Sequence, residues 1–188
     1  MTETAFHPDH GEIEITGVVD DVPNDSTLHY LKTMVGFRKQ FLKGRNKPDD
    51  YYYCGIEDFI LQNGKLYEYQ KLPKRYSSKR KYGKLKQCFQ NATRLMWDFP
   101  ELIYCEGYAQ TVIPTHHAWC IDPDGKVVDP TWGRDPDRAE KYPPHEYFGV
   151  AFTVPEVEAM ISLTGYYGML DQWQAKWPLL KNKFREGK

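Results

Sequence analysis

The 188-residue sequence predicts an α+β fold, with an antiparallel sheet packed against a helix that carries a candidate nucleophile. Three observations carry this expectation. Apolar residues recur at helical spacing in two stretches, first Leu28, Leu31, Met34, Val35, Phe41 and Leu42, then Phe89, Ala92, Leu95, Met96 and Phe99. Two turn signals, Asn63-Gly64 and Asp122-Pro123-Asp124-Gly125, interrupt runs of aromatic and β-branched residues, as hairpins require. The length suits one core, since a chain of this size buries most of the apolar surface it would expose unfolded.

Taken in order, residues 1–25 mix acidic residues, His, Pro and Gly with a short alternation at Ile13, Ile15, Val18 and Val19, which predicts a tail or an edge strand. Residues 26–188 follow as a single domain. The Asn24-Asp25-Ser26-Thr27 cluster is placed to cap a helix that ends near Gly44, and a polar loop runs from Arg45 to Asp50. Tyr51–Leu61 and Lys65–Tyr69 are expected to pair as strands across Gln62-Asn63-Gly64. Lys71 to Lys86 holds eight basic residues without a helical stripe and predicts a basic loop.

A helix begins at Cys88 and stops before Pro100. Leu102–Ala109 and Val112–Pro114 read as extended, and His117–Ile121 pairs with Lys126–Asp129 in a hairpin. A loop is expected from Trp132 to about Tyr147, a strand over Phe148–Val154, and a helix opened by Pro155 with Val157, Met160, Ile161 and Leu163 inward. A last helix over Asp171–Phe184 carries Trp173, Trp177 and Leu180, with Pro178 as a break.

Composition narrows the function classes. With 25 basic and 26 acidic residues the net charge is −1, which gives no whole-chain argument for a nucleic-acid or membrane partner. No apolar run is long enough to span a bilayer. Four cysteines (Cys54, Cys88, Cys105, Cys120) without a C-x-x-C pair, behind an N-terminus lacking the pattern of a secretory signal, point to free thiols and a cytoplasmic setting. A metal site built from Cys88, Cys105, His116 or His117, and Cys120 has one suggestive spacing, His116-x-x-x-Cys120. Strand alternation puts His117 and Cys120 on opposite faces, so neither a metal nor another cofactor is expected.

The chemistry concentrates between Gln87 and Trp132. A thiol in the first turn of a helix faces unpaired backbone N–H groups that favour the thiolate, and Cys88 has that position; Lys84 and Lys86 lie just upstream. Asp122 to Gly125 fits a three-residue loop in which Pro123 presets a type I turn and Gly125 takes the left-handed conformation. In that register Trp119 faces Asp129, which places His117 and Asp129 diagonally on one face, about 5–8 Å apart between Cβ atoms. A loop one residue longer would turn Asp129 away. His116 lies off that face unless a bulge near Pro114 exchanges the two histidines. Cys105 and Cys120 are assigned to packing, and Trp119 and Glu106 are candidates to line a cleft.

These residues carry a resemblance. Cys88 at a helix start, Glu106-Gly107-Tyr108-Ala109, His117-Ala118-Trp119 and Val127-Val128-Asp129-Pro130-Thr131-Trp132 resemble the transglutaminase-like core of the papain-like cysteine enzyme superfamily, over residues 85–133. The resemblance implies Cys88 as nucleophile, His117 as general base and acid, and Asp129 as the residue that orients the imidazole. It implies an acyl-transfer enzyme acting on an amide in a protein, peptide or small molecule, as peptidase, amidase or deamidase, or transferring the acyl group to an amine. The backbone N–H of Cys88 supplies one oxyanion donor, with Gln87, Tyr82 and Gln70 as side-chain candidates. A non-catalytic module binding through the basic loop 71–86 is the competing reading.

Overall fold

The computed structural model describes residues 3–7, 11–15, 26–43, 50–78, 82, 84–133 and 146–185. The chain is α+β. Two N-terminal strands, β1 (Glu3–His7) and β2 (Gly11–Ile15), pair antiparallel with each other. They form a two-stranded sheet of their own, where the expectation was a tail or an edge strand. The expected loops over 45–49 and 134–145, and part of the basic stretch, lie outside the described residues.

Helix α1 (Thr27–Leu42) starts where the cap signal placed it, with the His29 amide donating to Ser26 Oγ at 3.0 Å. The predicted strand over 51–61 is overturned. Residues 56–63 form helix α2 (Ile56–Asn63), with Glu57 and Asp58 in its first turn. Asp58 closes the turn from both sides, accepting from the Cys54 amide and from the Gln62 side chain, each at 2.9 Å. Asn63 and Gly64 terminate this helix: Asn63 Nδ2 donates back to the Phe59 carbonyl at 2.8 Å and the Gly64 amide to the Ile60 carbonyl at 2.8 Å. The same two residue types that make a tight hairpin also make a helix stop, and here the local carboxylate decides.

The main sheet has five antiparallel strands, β3 (Lys65–Tyr67), β4 (Ile103–Gln110), β5 (Pro114–Ile121), β6 (Val127–Val128) and β7 (Glu146–Phe152), in the order β3-β7-β4-β5-β6. It curls until its two edges meet. Glu68, one residue past β3, bridges Lys126, one residue before β6, and the Val127 amide donates to the Glu68 carbonyl at 2.9 Å. Gln70 Nε2 reinforces the seam by donating to Asp122 Oδ2 at 2.7 Å.

The curl gives the sheet an inner and an outer face. Alternation sends Tyr67, Cys105, Ala109, Trp119, Val127 and Tyr147 inward as one buried cluster. The outer face, with Tyr104, Cys120, Phe148 and Phe152, packs against α1, α2, α3 (Cys88–Asp98) and α4 (Val154–Thr164). Helix α4 opens with the predicted Pro155, inside a capping box formed by Thr153 and Glu156.

The predicted helix over 171–184 is also overturned. That segment holds two single 3-10 turns, at Trp173–Ala175 and Pro178–Leu180, because Lys176 and Trp177 take left-handed backbone angles (φ 56° and 43°) ahead of Pro178.

Candidate active site

The turn that fixes the site has the predicted length. The Asp122 amide donates to the Lys126 carbonyl at 3.0 Å, Gly125 has φ 79°, and β5 pairs with β6 as Ile121 to Val127 and Cys120 to Val128. Asp122 holds the loop by accepting from the Asp124 and Lys126 amides through Oδ1. Continuing the register sets Asp129 opposite Trp119, and His117 Nε2 lies 2.8 Å from Asp129 Oδ2.

Asp129 is saturated. Its Oδ1 accepts from the Thr131 amide at 2.8 Å and the Trp132 amide at 3.0 Å, an Asx turn that Pro130, having no N–H, leaves open to its successors. Its Oδ2 accepts from the Tyr147 hydroxyl at 2.9 Å as well as pairing with His117. Burial alone would push this carboxyl up, but the His117 charge and hydrogen bond and the two backbone amides outweigh it and hold the carboxyl below its ordinary value.

The imidazole of His117 is buried, which by itself would disfavour its charged form. The Asp129 charge and hydrogen bond, then the hydrogen bond and charge of Cys88, reverse that and push it up to about 9. Nε2 is committed to Asp129, so Nδ1 is the nitrogen left for the sulfur. The Trp132 ring stacks on the imidazole with centroids 4.1 Å apart and planes 19° from parallel.

The folded value of His117 lies above its ordinary 6.5, so its stabilising contribution is complete below about pH 6.5 and is lost as pH rises through about 9. The thermal midpoint is expected to decline across that window, and His117→Ala to flatten the decline. Melting curves taken from pH 6 to 10 on both proteins check this.

Cys88 opens α3, follows Gln87 at the N-cap, and is 8% exposed. Its own N–H belongs to the first turn, where no helical carbonyl is available to accept it. Helix α3 is pinned to the Asp129 turn by Asn91, which is 2% exposed and whose Nδ2 donates to Thr131 Oγ1 at 3.0 Å and to the Lys84 carbonyl at 2.8 Å. β6 covers only Cys120 and Ile121 of β5, so the His117 part of that edge has no strand partner among the described residues, and the start of α3 meets the imidazole there.

The structure therefore brings Cys88, His117 and Asp129 together and disperses the other candidates. Tyr82 bonds Asp98 at the far end of α3, so its hydroxyl is held away from the thiol. Gln70 is spent in the sheet seam. Gln87 remains beside Cys88, exposed and free of any capping bond. Trp119 is fully buried inside the curled sheet, with Gly149 beneath its ring, where an added Cβ would lie 2.6 Å from the indole, so it lines no cleft. Glu106 points to the outer face and is likewise fully buried, accepting from Tyr104 Oη at 2.8 Å and from the Met169 and Leu170 amides at 2.6 and 3.1 Å.

β5 pairs with β4 without a bulge from Pro114 to Ile121, so His116 stays on the outer face, its Nε2 3.1 Å from Glu106 Oε1. Cys105 and Cys120 are buried core residues; burial pushes the Cys105 thiol up to about 12 and holds the Cys120 thiol well above its ordinary value. Cys54 is half-buried on an open depression of about 450 Å³ between α1 and α2, and burial and the neighbouring Asp58 push its thiol up to about 11. Among the described residues no group of three His, Cys, Asp or Glu side chains is arranged to hold a metal ion. No helix of the described chain is long and apolar enough to cross a membrane.

Tyr147, Asn91 and Trp132 also belong to the site, and the sequence assigned none of them a role there. The Asp-Pro-Thr spacing carried the signal for the Asx turn; nothing local signals Tyr147, whose reach depends on strand order. No protein-family model matches the chain, and no curated protein or solved structure shows significant similarity to it.

Proposed function

We propose that the protein is a cysteine-dependent acyl-transfer enzyme acting on an amide. The observation that carries this is a buried imidazole paired with the Asp129 carboxylate at 2.8 Å, met by the start of the helix that Cys88 opens. His117 takes the Cys88 proton, and the thiolate adds to the amide carbonyl, forming the C–S bond. The oxyanion turns toward the Cys88 N–H and the positive end of α3. The imidazolium returns its proton to the leaving nitrogen as the C–N bond breaks, leaving a thioester and a free amine. A water that loses its proton to His117 then adds to the thioester carbonyl, the C–S bond breaks, and the imidazolium proton returns to the Cys88 sulfur as the acid leaves; an amine in place of water gives transfer, and hydrolysis, as by a peptidase, amidase or deamidase, is the proposed outcome.

The substrate is a protein, peptide or small amide. Residues 69–97 hold nine of the chain's 25 basic residues and none of its 26 acidic ones, and Lys84 and Lys86 are exposed just before Cys88. That charge favours acidic substrate segments. It also keeps the non-catalytic module in play, which would form a salt-sensitive complex unaffected by Cys88→Ala.

Limiting iodoacetamide near neutral pH tests the proposal. Cys88 is expected to alkylate first and well ahead of Cys54, Cys105 and Cys120, read by peptide mass mapping. Comparable labelling at Cys54, the one half-buried thiol, or slow labelling at Cys88, rules the reading out.

A further inference from the structure

The phenol of Tyr147 reaches the site from two strands away. Tyr147 stands on β7 opposite Ala109 of β4, and the adjacent cross-strand row is Gly149, Gly107 and His117. The two glycines leave room on the inner face for Trp119 and Tyr147, whose rings meet edge to face at 5.1 Å. Packed against Trp119, Tyr147 donates its hydroxyl to Asp129 Oδ2, the oxygen that also holds His117 Nε2. Tyr147 is fully buried, and burial followed by the Asp129 charge pushes its phenol well above the ordinary value, so it donates throughout the neutral range.

We propose that Tyr147 is a positioning residue of the acyl-transfer site, which aims the Asp129 carboxylate and tunes the proton affinity of His117 by sharing the oxygen that faces it. This rests on the acyl-transfer reading above. A second donor on Oδ2 withdraws charge from the oxygen that stabilises the imidazolium. Removing it leaves Asp129 ionised, since Oδ1 keeps both backbone amides, but concentrates its charge on His117. The titratable groups facing the imidazole are Cys88 from α3, Asp129 from the turn and Tyr147 from β7, with Tyr69 stacked at 6.4 Å on Tyr147 behind them. Glu106 and His116 face the other side of the sheet.

The test is a ¹H–¹⁵N titration of the His117 imidazole in Cys88→Ala protein, with and without Tyr147→Phe. The phenylalanine variant is expected to raise the midpoint by about half a unit. Site-specific replacement of Tyr147 by a fluorotyrosine preserves its size and hydroxyl and donates more strongly, so it is expected to lower the midpoint. It also serves where the phenylalanine variant does not fold. Opposite shifts support the proposal; midpoints that stay put, or move together, overturn it even if the variants lose stability. The alkylation order in the wild-type protein reports separately on the acyl-transfer reading, so slow Cys88 labelling there is not confused with failure of the Tyr147 role.

Discussion

His117→Ala is expected to slow alkylation of Cys88 at pH 7 by about tenfold or more, because the imidazole that takes the thiol proton is gone. On the proposed acyl-transfer function, amide turnover is expected to fall further, by about 10²–10⁴, since the proton for the leaving nitrogen goes with the imidazole. The variant leaves Asp129 buried without its cation, a change that costs about 3–5 kcal/mol when nothing else holds the charge. Here the Thr131 and Trp132 amides and the Tyr147 hydroxyl still do, so the fold is expected to survive with a smaller loss. Cys88→Ala is the matching control: it removes the nucleophile and keeps the imidazole–carboxylate pair intact. Rates of Cys88 labelling against pH, with circular dichroism on each variant, separate the chemical loss from the structural one. A Cys88 that labels equally fast with and without His117 ends the case for an activated thiol.

What was legible in the sequence was local. Pro123 and Gly125 set a turn of one length, that length sets the pairing of β5 with β6, and the pairing puts Asp129 beside His117. The start of α3 at Cys88 was equally readable, since helical spacing begins there and Pro100 ends it. Where a signal was ambiguous, a side chain nearby decided it. Asn63-Gly64 became a helix stop because Asp58 captures the Cys54 amide and Gln62, bonds that no extended strand could make. The rest depends on strand order. Closing the sheet through Glu68 and Lys126 consumes Gln70, and bringing β7 beside β4 delivers Tyr147, neither of which is encoded within a window around the residue concerned.

Glu106 is the sharpest case of a residue whose role lies outside its window, and its removal is expected to give the largest loss of stability. It was a candidate to line a cleft, yet its carboxylate receives the Tyr104 hydroxyl and two successive amides, Met169 and Leu170, from a segment more than 60 residues away. Gly168, at φ 105°, bends the chain so that both amides converge on it, a backbone conformation that other residues rarely adopt. Met169 and Leu170 are 2% and 1% exposed in the outer core, so these donors have no water to fall back on. Glu106→Ala strands three of them, each worth about 1–3 kcal/mol when left unmade, and a total of about 3–5 kcal/mol is expected by denaturant titration. Glu106→Gln keeps the shape and one acceptor oxygen, and is expected to lose roughly half as much. Hydrogen exchange at the Met169 and Leu170 amides should quicken in both variants before the sheet itself opens.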